Sequence, residues 1–179
     1  MAENIESTVL AYKINQERAA KEIEESTERE MVKVEVKGKD QIVLTLNAGL
    51  YSEVKKRILS LSEQEWEGNT MHITNKQDNQ RIAIVEHVVR IEGKATKEKI
   101  LTLNMYNTTN RILINGKRID LFQEKLLPEL NRCIEGNLQY ITDLNQKIKE
   151  EIINFKNNSN NRGRGNQYKE IETDGNKEL

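Results

Sequence analysis

The sequence predicts an α+β fold: one curved antiparallel sheet of five to six strands with helices on one face, flanked by N- and C-terminal helices. Three observations predict it. Short runs alternate apolar and polar residues strictly, as half-buried strands do. Longer stretches switch to a three-to-four-residue spacing, the period of a helix that lays one stripe on a core. From Lys99 to Ile134 both periods follow one another in the order strand, turn, strand, helix.

From Glu3 to Glu25, Ile5, Val9, Tyr12, Ala19 and Ile23 fit a helical stripe. Met31 to Lys37 sets Val32, Val34 and Val36 against Lys33, Glu35 and Lys37, and Gly38, Lys39 and Asp40 turn the chain into Gln41 to Asn47. There Ile42, Leu44 and Leu46 are the apolar set. Ala48 to Trp66 has helical spacing through Leu50, Val54, Ile58 and Leu61, with Lys55, Lys56 and Arg57 expected on the outer surface. Trp66 is expected as a lid on the core. Asn69 to Lys76 reads as a strand with Met71 and Ile73 inward and His72 and Thr74 outward. Arg81 to Ile91 reads as a longer strand whose alternation slips around Val85 and Glu86, as at a bulge.

Between Ile100 and Tyr106, Leu101, Leu103 and Met105 share one side while Thr102, Asn104 and Tyr106 share the other. The run Asn107, Thr108, Thr109, Asn110 consists of residues that bond their own backbone or tolerate a left-handed conformation. A hairpin closed there places Met105 opposite Ile112, Leu103 opposite Ile114, Tyr106 opposite Arg111 and Thr102 opposite Asn115. Asn115 and Gly116 end the second strand, and Asp120 with Gln123 has the spacing of a capping box. Ile119, Phe122, Leu126, Leu130 and Ile134 form the stripe of the next helix, in which Pro128 predicts a kink or an early end. Leu138, Ile141, Leu144, Ile148, Ile152 and Phe155 form the stripe of a last helix, which either completes the core or pairs with the first. The expected organisation is an N-terminal helix in 1–30, an α+β domain in 31–156 with its C-terminal helix in 138–156, and a disordered tail in 157–179.

Composition excludes more than it selects. Charged residues make up 32% and aromatics 4%, at a net charge of -1, so the core is aliphatic. The central 31–156 carries only +3, far from the footprint of a protein that holds nucleic acid by charge alone. Cys133 is the sole cysteine, which rules out an internal disulfide. No run has the apolar length of a signal peptide or membrane span, so a cytoplasmic or nuclear location and no membrane partner are expected. His72 and His87 lack partners at ligand spacing, there is no phosphate-cradling glycine loop and no serine nucleophile motif. No metal, no cofactor and no enzymatic activity are expected.

The order strand, helix, four strands, helix over about residues 41–135 resembles one repeat of the TATA-binding protein fold, also the fold of the N-terminal substrate-binding domain of ribonuclease HIII. The hairpin Ile100 to Tyr106 and Arg111 to Gly116, followed by the helix Asp120 to Leu130, carries the likeness. The resemblance implies binding of duplex DNA or an RNA/DNA hybrid on the concave sheet face. It differs in lacking the phenylalanines that wedge base steps, because Phe122 and Phe155 fall on predicted helices, and in having one repeat, so that a saddle requires a dimer. The carboxylate set of a ribonuclease H site is also absent.

The alternation itself names a candidate nucleic-acid-binding face: Thr45, His72, Thr74, Lys76, Thr102, Asn104, Tyr106, Arg111 and Asn115 share the side opposite the apolar set. Whether duplex, hybrid or single strand stays open. The alternative is an oligomeric scaffold assembling through its terminal helices.

Overall fold

The computed structural model describes residues 17–61, 66–78 and 84–174. Helix α1 (Glu17–Thr27) leads into strands β1 (Val32–Lys37) and β2 (Gln41–Leu46), helix α2 (Ala48–Leu61), and strands β3 (Asn69–Gln77), β4 (Ile84–Gly93), β5 (Lys99–Tyr106) and β6 (Arg111–Asn115). Helix α3 (Ile119–Leu121), a π-helical turn (Phe122–Leu126), α4 (Leu127–Gly136) and α5 (Leu138–Asp174) complete the chain. The six strands form one antiparallel sheet in the order β1-β2-β6-β5-β4-β3. The fold is therefore α+β, with an open sheet and helices on one side.

Strand pairing follows the alternation. Leu103 lies opposite Ile114, Met105 opposite Ile112, and Tyr106 opposite Arg111, the hairpin register expected from the sequence. Asn110 closes that turn at φ 54, and its N–H donates to the Tyr106 carbonyl at 2.9 Å. The Val85 slip is a bulge: Lys76 pairs with Glu86 and Gln77 with Ile84, leaving Val85 over. The expected beginning of this strand, Arg81 to Ala83, lies outside the described residues, as do most of the expected first helix (1–16) and the segment 62–65.

One row of side chains crosses the whole sheet on the helix side: Val36, Ile42, Ile114, Leu103, Val89 and Ile73. The four central members are buried with Leu50, Val54 and Ile58 of α2, Phe122 and Leu126 of the π turn, Leu130 of α4 and Ile141 of α5. The two outer members are exposed. A helix is about 10 Å wide and strands about 4.8 Å apart, so two helices side by side cover about four strands and not six. Trp66 is buried at the edge of this core, as expected of a lid. A second cluster joins Ile23 of α1 to Ala48 of α2 and to Leu144, Ile148 and Ile152 of α5, so the stripes of the terminal helices meet within one chain.

Three local expectations are corrected. Asp120 does not cap a helix: the helix starts at Ile119 after Arg118, whose guanidinium takes the Asp120 carboxylate at 2.9 Å. Lys55 is not on the outer surface with exposed Lys56 and Arg57 but turns inward over the Tyr51 ring, 5.5 Å from its centroid. Trp66, expected at the end of α2, lies outside it: the described helix spans Ala48–Leu61, and Trp66 bridges Asn69 instead. Pro128 does not end the helix early: the helical run continues to Gly136, with a π turn just before the proline. Lacking an N–H and crowding the carbonyl four residues back, it shifts the ladder so that the Leu127 N–H bonds the Phe122 carbonyl. Helix α5 continues to Asp174, past the change of composition at Asn157; side chains beyond Asn160 and residues 175–179 lie outside the described residues.

Candidate functional site

The face away from the helices is built of three rungs that run straight across all six strands. The first is Lys37, Gln41, Asn115, Thr102, Arg90 and His72; the second is Glu35, Val43, Leu113, Asn104, Val88 and Thr74; the third is Lys33, Thr45, Arg111, Tyr106, Glu86 and Lys76. All nine residues singled out from the sequence, Thr45, His72, Thr74, Lys76, Thr102, Asn104, Tyr106, Arg111 and Asn115, stand on these rungs. Antiparallel pairing puts directly opposed residues on one face, so correct alternation in each strand was enough to assemble them.

The electrostatics of the third rung centre on Glu86. Its carboxylate accepts from Asn104 Nδ2 at 2.8 Å and meets Lys76 Nζ at 3.3 Å. Burial, and then the charge of Glu86, push the Tyr106 hydroxyl above its ordinary pKa, so it remains a donor at neutral pH. Lys33 pairs with Glu35 at 2.7 Å, and His72 Nε2 lies 3.5 Å from Glu92. Among the described residues Lys37, Arg90 and Arg111 make no ion pair, and the Arg90 Nε is buried without a hydrogen-bond partner. The face thus keeps three cations outside any ion pair among the described residues, two of which, Lys37 and Arg111, still act through space on the Glu35 carboxylate.

Several members of this face were missed in the sequence. Val43, Leu113 and Val88 make the middle rung apolar and half-buried around Asn104. Their signal was present: Ile42-Val43-Leu44 and Ile112-Leu113-Ile114 are continuous apolar runs, the pattern of strands shielded on both faces. Arg90 and Glu86 were hidden by the bulge at Val85, which breaks the alternation where the two could be placed.

Beneath the sheet lies a second polar group. His87 is buried on the helix side, its Nδ1 2.8 Å from Asn75 Oδ1, so that nitrogen carries the proton. Burial, and then the charge of Lys55, lower its pKa to about 4. Lys55 itself is lowered to about 8 by burial. Its Nζ lies 3.4 Å from Asn107 Oδ1, which also accepts from the Tyr51 hydroxyl at 2.7 Å. Asn107 Nδ2 donates to the Ile84 carbonyl, so this cluster pins the hairpin turn to α2 and β4. Among the described residues no group of three or more His, Cys, Asp or Glu is placed to hold a metal, and no helix is long and apolar enough to cross a membrane. No protein-family model, curated protein or solved structure matches the chain.

Proposed function

We propose that the chain is a non-enzymatic nucleic-acid-binding module that uses the open face of its sheet. One observation carries the reading: Tyr106 stands directly opposite Arg111, on an uncovered face whose outer rungs hold the cations Lys37, Arg90 and Arg111. The outer rungs are about 13 Å apart, four residues along a strand. Two rows of phosphate can meet them while sugars and base edges rest on Val43, Leu113 and Val88 between. Thr45, Thr102, Asn104 and Asn115 supply neutral donors and acceptors suited to sugar and base edges, and Tyr106 a stacking surface. The element order from β2 to α4, which resembles one repeat of the TATA-binding protein fold, supports the same reading.

The test is retention on single-stranded, duplex and RNA/DNA hybrid oligonucleotides over a salt series. Phosphate neutralisation makes the logarithm of affinity fall linearly with that of salt. Tyr106→Ala combined with Arg111→Ala is expected to keep the fold and weaken binding at least about fivefold, since one stacked base contributes about 1–3 kcal/mol. Absence of binding by the parent at low salt, or an unaltered double variant, overturns the proposal.

A further inference from the structure

We infer that β1 is a dimerisation edge, pairing antiparallel with β1 of a second copy about a two-fold axis at Val34. Among the described residues, no hydrogen bond engages its outer backbone. The Asn47 N–H bonds the Met31 carbonyl at 3.0 Å, and the Leu46 N–H bonds Asn110 on the other side. Ladder bonds alternate along an antiparallel strand, so Met31, Lys33, Glu35 and Lys37 point their backbone groups at β2. The N–H and C=O groups of Val32, Val34 and Val36 therefore point out from the sheet edge.

The side chains choose the partner and the register. Val32, Val34 and Val36 lie on the helix side at 46%, 52% and 65% exposure, beyond the reach of the helices. The other edge, β3, presents His72, Thr74, Asn75, Lys76 and Gln77 and is bulged against its neighbour; β1 is regular throughout. With Val34 opposite the partner's Val34, Val32 faces the partner's Val36, and six valines form one seam of cross-strand pairs. In that register Lys33 meets the partner's Glu35, and Glu35 the partner's Lys33. A shift by one residue along each strand sets either Glu35 against Glu35 or Lys33 against Lys33, so charge selects the Val34 axis. An edge strand exposed this way is a hazard unless its pairing closes, and an isologous two-fold closes it. The axis is perpendicular to the sheet, so the twelve strands form one surface with both open faces on the same side. The inference does not depend on what those faces bind.

Sedimentation equilibrium of the full chain over a concentration series is expected to show conversion from the 20.8 kDa monomer to a species of twice that mass. Val34→Pro removes only an outward N–H, which edge strands tolerate, and is expected to leave the circular dichroism unchanged and abolish the dimer. Lys33→Glu and Glu35→Lys each place like charges opposite one another and are expected to weaken self-association about tenfold. Mixed in equal amounts, the two variants regain complementary strands and are expected to form a heterodimer, resolved by native mass spectrometry. The charge exchange decides the matter even if the proline variant fails to fold. A monomer at every concentration, a dimer indifferent to both charge variants, or no heterodimer on mixing overturns the inference.

Discussion

At the scale of single residues, the most consequential side chains are two that the helices and sheet desolvate, His87 and Lys55. A neutral His87 is accommodated by Asn75, whereas a protonated one sits buried beside the Lys55 ammonium. The folded pKa of about 4 lies below the ordinary value of 6.5, so the unfolded chain binds the extra proton first. Stability is intact above pH 6.5 and is lost as pH falls towards 4, by about 3 kcal/mol in total. Urea midpoints between pH 7 and 4 are expected to record this drop, and His87→Leu to flatten it. Lys55 works in the opposite window: with a folded pKa of about 8 against 10.5, its burial costs most below pH 8 and is relieved as pH rises to 10.5. Lys55→Met is expected to stabilise the protein at pH 7 by roughly 1–2 kcal/mol, once solvent screening discounts the full shift, and to raise the folded pKa of His87 towards its ordinary value, so that the loss of stability in acid becomes smaller. Neither residue was legible as a buried titrating group. Lys55 stands in a run of three basic residues that reads as a solvated helix face, and nothing in the sequence says that Tyr51 and Asn107 draw its ammonium inward.

At the scale of elements, what was legible depended on whether the pattern was local. The β5–β6 register followed from alternation and a turn of Asn and Thr residues, all within one hairpin. The Val85 bulge followed from a slip in the same pattern, whereas Pro128 signalled a disturbance of the helix but not the π turn that forms there. Coverage was not legible: alternation grouped Val32, Val34 and Val36 on one face of β1 but is silent on whether a helix reaches them. Helix crossings were equally silent. Gly49 at the start of α2 illustrates this, since a Cβ there would lie 2.5 Å from the Ile141 carbonyl and 2.8 Å from Asn145 of α5. The Gly49 N–H also donates to Asn145 Oδ1 at 3.1 Å, while Asn145 Nδ2 donates to the Thr27 carbonyl, so one asparagine ties α1, α2 and α5 together. Gly49→Ala must force α2 and α5 apart against backbone atoms. A loss of about 1–3 kcal/mol in chemical denaturation is expected, despite alanine's better helix propensity.

At the scale of the whole molecule, the protein is a two-layer structure whose sheet is dry on one side and open on the other, and adjacent residues of β5 report the difference. Leu103 is fully buried against the helices, in the row that includes Ile42, Ile114 and Val89. Thr102, one residue away, is half-buried on the first rung, opposite Arg90 and Asn115. An aspartate at 103 is an unpaired charge in an aliphatic core, with a penalty of at least about 4 kcal/mol, a large part of the stability of a domain this size. An aspartate at 102 keeps its contact with water and gains Arg90 as a cross-strand partner, worth about 0.2–1 kcal/mol. Leu103→Asp is therefore expected to abolish cooperative thermal unfolding, and Thr102→Asp to melt within a few degrees of the parent. The second variant should nevertheless lose oligonucleotide affinity, because it adds a negative charge to an outer rung of the face and neutralises Arg90 there. Unfolding of Thr102→Asp would mean that the second face is also covered in the native protein. Intact binding by a folded Thr102→Asp would place the ligand elsewhere.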